Sequence, residues 1–495
     1  MFGRPALTRL ALALLGLAGL AGSAPAQTVP TYHGSADRSG LYVTPGLGWA
    51  KAAGVHVDTA FNATVTGQVY AQPLYWLPPG AKTGWVIVAT ESNDVYALNA
   101  ATGKVVWHRT VGTPVTRSAL PCGNINPIGI TGTPVIDQAS GTLYLDALVA
   151  DPGGPHHKIF ALSLANGKIL PGWPAGVQTA MVALKKPFAS TAQGQRSGLT
   201  IVNGQLYVTY GGNWGDCALY RGVVVQLALG TPTITAAWLT RAHGGGIWAQ
   251  SGIAYDGQSM FVATGNTMNT TPWGDGEAVI RLQPGLAHSF AKADFFTPSN
   301  WHDLDNSDTD LGGTGPIPID VPAAGGTTLA RLVALGKDGK AYLLDRADLG
   351  GIGGQLAVAQ VSNDEIISAA TWFPTANAAM LAFVGSGAGC PAGQSGNLTM
   401  LRVTESKATP IATAWCAGLN GTGAPIVTTT NGTTDPIVWV AGAQGDGQLH
   451  GYRGTDGTPL FSGGSMSGLQ RNAGILVAEG RFYVAGSGTV YAFIY

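Results

Sequence analysis

Hydrophobic positions along this chain fall into short runs, with no long stretch of helical period. A run of four or five apolar residues leads into a turn rich in glycine or small polar residues, and a second run follows. The pattern is seen in VIVATESNDVYAL (86–98), LYLDALVADPGGPHHKIFAL (143–162), LYVTYGGNWGDCALYRGVVVQL (206–227) and MFVATGNTMNTTPWGDGEAVIRL (260–282). It continues in LVALGKDGKAYLL (332–344), LAFVGSGAGCPAGQSGNLTML (381–401), VWVAGAQGDGQLHGY (438–452) and FYVAGSGTVYAF (482–493). Apolar runs of this length bounded by turn residues predict β-hairpins, and there are eight of them.

The hairpins recur as a repeat. Residues at equivalent points of the second strand (Tyr96, Phe160, Val225, Ile280, Tyr342, Met400, His450, Tyr491) are 41 to 65 residues apart. A stretch of small residues running into β-branched or aromatic ones precedes each hairpin: YAQPLYW, GITGTPVID, RSGLTIV, WAQSGIAYD, GGTGPIPID, ISAATWFPT, GTGAPIVTT and RNAGILVAE. Small residues suit strands that crowd towards an axis. An outer strand is clearest in NAATGKVVWHRT from Asn99, with echoes in LANGKILPGW from Leu164 and RGTDGTPLFS from Arg453. Four strands in each of eight units predict an all-β, eight-bladed β-propeller with four-stranded antiparallel blades, extending over residues 27–495 as one domain. A pair of β-sandwiches would also give many short strands, but not eight in-phase copies of a composite signature. Propellers close by avoiding an open edge, so TYHGSADRSGLY (31–42) is expected to supply the missing outer strand.

Composition supports strands and narrows the partners. Glycine contributes 73 of 495 residues, which disfavours helices. Only 11% of residues are charged and the net charge is −1, so no basic footprint for nucleic acid exists. Arg4 and Arg9 precede the apolar run Leu10–Gly22, and Ala24-Pro25-Ala26 follows it; residues 1–26 read as an export signal, with a run too short to span a bilayer. An exported chain, periplasmic or secreted, with no later membrane span, leaves Cys122, Cys217, Cys390 and Cys416 free to pair as two disulfides.

The element VYALNAATGKVVW (95–107) resembles the tryptophan-docking repeat of quinoproteins, the propellers of dehydrogenases that use pyrroloquinoline quinone (PQQ). The resemblance covers about residues 31 to 495, and non-enzymatic propellers, including a scaffold subunit of the outer-membrane barrel assembly machinery, carry the same repeat. In the PQQ dehydrogenases an Asn in a Thr-Gly-Asn turn binds the metal, which implies Asn266 in ATGN. An Asp followed by x-x-Gly acts as base near the metal, implying Asp310 with Gly313. A cationic residue in the turn before a Tyr-x-Leu-Asp-Arg run contacts the quinone, implying Lys337, and a Trp after a glycine-rich stretch is the stacking floor, implying Trp248.

Two family features are missing. The vicinal cysteine lid is reduced to Cys122 in PCGNINPIGI, and the position of the metal-binding Glu, four residues before Arg221-Gly222, holds Cys217. The neighbouring Asp216 replaces that ligand only if the backbone there is irregular. The comparison implies a Cys122–Cys217 disulfide at the pocket mouth, and Cys390 with Cys416 a second one across the sixth blade.

Each site residue also has a plainer reading. Asn266 suits a left-handed turn, Lys337 in KDG a solvated hairpin turn, and Trp248 simple packing. Asp303, Asp305, Asp308 and Asp310 are compatible with a loop Ca²⁺ site or with a solvated loop. His156-His157 lies in a Gly/Pro turn with no paired metal ligand evident. Two functions follow: a PQQ- and Ca²⁺-dependent oxidoreductase acting on an alcohol or sugar, with Asp310 as base and an external electron acceptor because no haem motif is present; or a non-catalytic propeller that binds a protein or glycan.

Overall fold

The computed structural model describes residues 28–268 and 270–495; the expected signal at 1–26 lies outside them. Eight small sheets form the blades of a propeller. In the first blade, Leu74–Trp76, Trp85–Ala89, Asp94–Asn99 and Val105–Thr110 run from the axis outwards, each antiparallel to the next. The predicted hairpins pair in the predicted places, with Val88 opposite Tyr96, Leu145 opposite Phe160, Ala334 opposite Tyr342 and Val484 opposite Tyr491. The small-residue stretches lead into the innermost strands, such as Ile317–Pro322 and Ile426–Thr429.

Blades are held face to face by apolar side chains that alternate along the strands. Leu145, Phe160 and Leu162 of the second blade pack against Val95, Ala97 and Trp107 of the first. Each valine, leucine or phenylalanine among them contributes about 1.5–3 kcal/mol by leaving water. Trp107 shows why the Thr-Gly-Lys type of turn recurs. Its Nε1 donates to the Leu164 carbonyl at 2.7 Å, and its ring covers Gly167, whose φ of +68° and lack of Cβ allow the contact. Trp415 repeats the arrangement where the sixth blade meets the seventh, donating to the Gly454 carbonyl at 2.9 Å and covering Gly457.

The ring closes differently from the sequence expectation. Residues 31–42 are not the outer strand. That role falls to His56–Val57 and Ala63–Thr64, which pair antiparallel with Thr489–Ile494 of the last blade. The earlier segment turns inwards because it carries buried Tyr32, His33 and Arg38. It bonds to one inner strand after another: Val29 to Tyr75, the Pro30 carbonyl to Ile136, Ala36 to Tyr255, Ser39 to Trp372, and Leu41–Val43 parallel to Val427–Thr429. Arg38 is fully buried and satisfied, donating to the carbonyls of Tyr32, Leu199 and Ile253 and to the hydroxyls of Thr31 and Thr200. Among the described residues no helix is long and apolar enough to cross a membrane.

Candidate functional site

Asp310 precedes the short turn Leu311–Gly313, just before the inner strand of the fifth blade. Its Oδ1 accepts the Asn266 N–H at 2.7 Å, and its Oδ2 lies 2.5 Å from Nζ of Lys337. The Lys337 N–H donates to the Asp310 carbonyl at 2.9 Å, which fixes the two segments in register. Burial raises the Asp310 carboxyl to about 6, against the downward pull of Lys337 and the Asn266 N–H. The Lys337 side chain is 11% exposed, so the solvated-turn reading of this residue is overturned: its ammonium is held inwards by Asp310 and by the Asp308 carbonyl at 3.0 Å.

The same ammonium stands over the indole of Trp248, 5.4 Å from the ring centroid. Two glycines make room for this meeting. A Cβ on Gly265 would collide with the Asp310 carboxyl and press on the indole nitrogen, and one on Gly313 would crowd the Ile366 carbonyl and the far edge of the indole. Asn266 is absent from the residues with positive φ, so it is not there to supply a left-handed turn. Trp248, Asn266, Asp310 and Lys337 are therefore brought together.

Glu277 escaped the sequence analysis. It is fully buried with φ 49°, and its Oε2 accepts the Leu311 N–H at 2.5 Å while Oε1 has no partner. Burial first, and Asp310 second, raise its carboxyl well above the usual range. Only its place at the start of the strand Ala278–Leu282 was legible; nothing in the sequence marks a residue packed against Asp310 from a neighbouring blade.

The other acidic residues do not converge. Asp305 accepts the N–H and hydroxyl of Thr267, Asp308 lies beside Lys337, and Asp303 sits on the short helix Trp301–Asn306. Among the described residues no three His, Cys, Asp or Glu side chains gather as an ion would require. His157 has a structural place: its Nδ1 is 2.7 Å from Asp146 Oδ1 and its Nε2 is 3.0 Å from the Gln193 carbonyl.

Both disulfides form, Cys122–Cys217 and Cys390–Cys416. The first ties the loop after the first blade to the hairpin loop of the third, beside a shallow cleft lined by Thr131, Gln195, Arg196, Asn213 and Trp214. Asp216 is irregular, with φ 45°, but its exposed carboxyl lies beside Tyr220. Arg196, also missed in the sequence, feels a lowering by burial that Asp216, Tyr220 and Asp310 oppose. Glu91 faces the same region: burial raises it to about 7, Oε2 accepts the Gly129 N–H at 2.7 Å, and Oε1 is unpartnered. Gln195 likewise keeps a buried, unpartnered Oε1.

Comparison with protein families and with curated proteins finds no match. Solved structures do match. A quinohemoprotein alcohol dehydrogenase from Comamonas testosteroni aligns with TM-score 0.63 and 17% identity over 96% of this chain and 81% of its own. One from Pseudomonas putida HK5 gives 0.64 and 13% over 94% and 80%. A europium-containing methanol dehydrogenase gives 0.59 and 14% over 94% and 91%. At these identities the likeness is one of fold: the chain has the eight-bladed propeller architecture of quinoprotein dehydrogenases.

Proposed function

We propose that this chain is an exported quinoprotein-like oxidoreductase whose pocket holds PQQ over Trp248. The observation that carries this is the meeting of a partly exposed indole, the Lys337 ammonium and the buried Asp310 at one place. The surroundings fit a flat, anionic, carbonyl-rich group: an aromatic floor, cations at Lys337 and Arg196, and glycines where side chains would block the indole. They do not fit a calcium ion. The Lys337 ammonium already stands against Oδ2 of Asp310, where an ion would meet like charge, Cys217 is tied into a disulfide, and Asp216 lies beside Tyr220.

The bound quinone would supply the two-electron oxidant. Asp310, ionised above about pH 6, takes the hydroxyl proton of an alcohol or sugar. Lys337 holds that carboxylate in place and offers its remaining N–H to a carbonyl oxygen. An external acceptor would be needed to take up the electrons, since no C-x-x-C-H haem motif is present in the sequence. Adding PQQ to the purified protein and following cofactor absorbance, then dye reduction with alcohols and sugars, tests the reading. Absence of binding would leave the second reading, a propeller that docks a protein or glycan. That reading draws on Trp214 and Leu219, 60% and 66% exposed in the loop beside Cys217.

A further inference from the structure

Building on that reading of the pocket, we propose that it takes its anionic quinone without a divalent or trivalent metal ion, the Lys337 ammonium providing the positive charge that faces Asp310. Each oxygen of Asp310 already has a partner, Oδ1 accepting the Asn266 N–H at 2.7 Å and Oδ2 contacting Lys337 Nζ at 2.5 Å, so the side of the carboxylate an ion would take is held by an ammonium. An ion brought to Oδ2 would stand directly against the ammonium, like charge against like.

The remaining acidic groups do not make up the deficit. Asp216 lies beside Tyr220, Asp305 is consumed by Thr267, and Cys217 carries no charge in its disulfide with Cys122. Glu277 is fully enclosed, with Oε2 on the Leu311 N–H and Oε1 without a partner, and it lies behind Asp310 near Asp305 and Lys337. A hard cation needs several anionic oxygens, and its affinity follows their number.

Lys337 is placed to substitute. An ammonium has three donors. One goes to Asp310 Oδ2 and one to the Asp308 carbonyl at 3.0 Å; the exposed Asp308 carboxylate stands farther off, at 3.5 Å, so the third can turn to an oxygen of a ring stacked on Trp248. The disulfide that removes the metal ligand also ties the loops at the mouth, so one covalent link stands where the family pattern has both a lid and a carboxylate.

The test is PQQ binding to the whole purified protein, read by tryptophan quenching and by equilibrium dialysis, in EDTA, in Ca²⁺ and in La³⁺. The expected result is the same affinity in all three, with Lys337→Gln weakening it by about tenfold or more and Lys337→Arg retaining most of it. Circular dichroism of each variant separates loss of binding from loss of fold. An affinity raised about tenfold by Ca²⁺ or La³⁺ would overturn the metal-free site while leaving the quinoprotein reading intact. No PQQ binding under any of the three conditions would remove the quinoprotein reading itself, and this inference with it. A second variant, Cys122→Ser with Cys217→Glu, adds a carboxylate at the mouth while Lys337 still holds Asp310; its PQQ affinity should stay the same in EDTA and in Ca²⁺, and an affinity raised about tenfold by Ca²⁺ would count against the proposal.

Discussion

The Nζ of Lys337 lies 2.5 Å from Oδ2 of Asp310, and both side chains are almost entirely out of water. Removing one member leaves the other as an unpaired buried charge. Lys337→Met should therefore cost about 3–5 kcal/mol in urea unfolding. Combining Lys337→Met with Asp310→Asn should cost less than Lys337→Met alone, because the stranded carboxylate is removed as well. Equal losses in the single and double variants would show that the two groups do not depend on one another.

His157 presents both ring nitrogens to acceptors, the Asp146 carboxylate and the Gln193 carbonyl, so both carry hydrogens. Burial pulls its affinity for the proton down, but the Asp146 charge and the two hydrogen bonds outweigh this, and it is raised above 6.5. A raised histidine stabilises the fold fully below its unfolded value of roughly 6.5, and that stability is lost as pH climbs through the folded value. Melting temperatures should thus fall as pH rises past roughly 6.5. Asp146→Asn should flatten this dependence; an unchanged slope in that variant would assign the pH sensitivity elsewhere.

The two disulfides close loops of different length, 95 residues for Cys122–Cys217 and 26 for Cys390–Cys416. Loop-closure entropy alone assigns them about 4.7 and about 3.5 kcal/mol. Replacing the first pair by serines should lower stability by roughly 1 kcal/mol more than replacing the second. Urea titration of the two paired variants measures the difference, and the reverse order would mean that the shorter link carries extra native-state packing.

Trp415 is completely buried and lies on Gly457 of the next blade. Trp415→Ala should cost about 3–5 kcal/mol, the range for emptying a large aromatic site. Val106→Ala, at a side chain 44% exposed, should change stability by less than about 0.5 kcal/mol. Melting temperatures of the two variants check the contrast. Gly457→Ala offers a third comparison, since its φ of +77° and its contact with the indole both penalise a Cβ.

What was legible in the sequence follows the length scale of the interactions. The blades repeat a local rule of apolar runs and turn residues, so every hairpin could be placed before any coordinate was known. Trp248, Asn266, Asp310 and Lys337 could be singled out as a group because each stands in a short motif, and the structure brings them together. Glu277 and Arg196 could not be, because their importance lies in neighbours supplied by other blades: Asp310 lies 33 positions beyond Glu277, and no local pattern joins them. The ring closure was misassigned for a related reason. Residues 31–42 and 56–64 are both short and β-prone, and only the buried partners of Arg38 settle which goes to the axis.

The segment that threads the axis also sets the order in which the ring can be completed. Its bonds run to six blades, from Tyr75 to Val427, while the next stretch of chain waits for Thr489–Ile494. A segment made early therefore has its final partners in one made late. Contacts at such separation slow folding. Until synthesis delivers the eighth blade, the axial segment has an incomplete seat and the first blade a bare flank. Loss of that last blade would unseat both at once, so the molecule is set to be whole or not to persist.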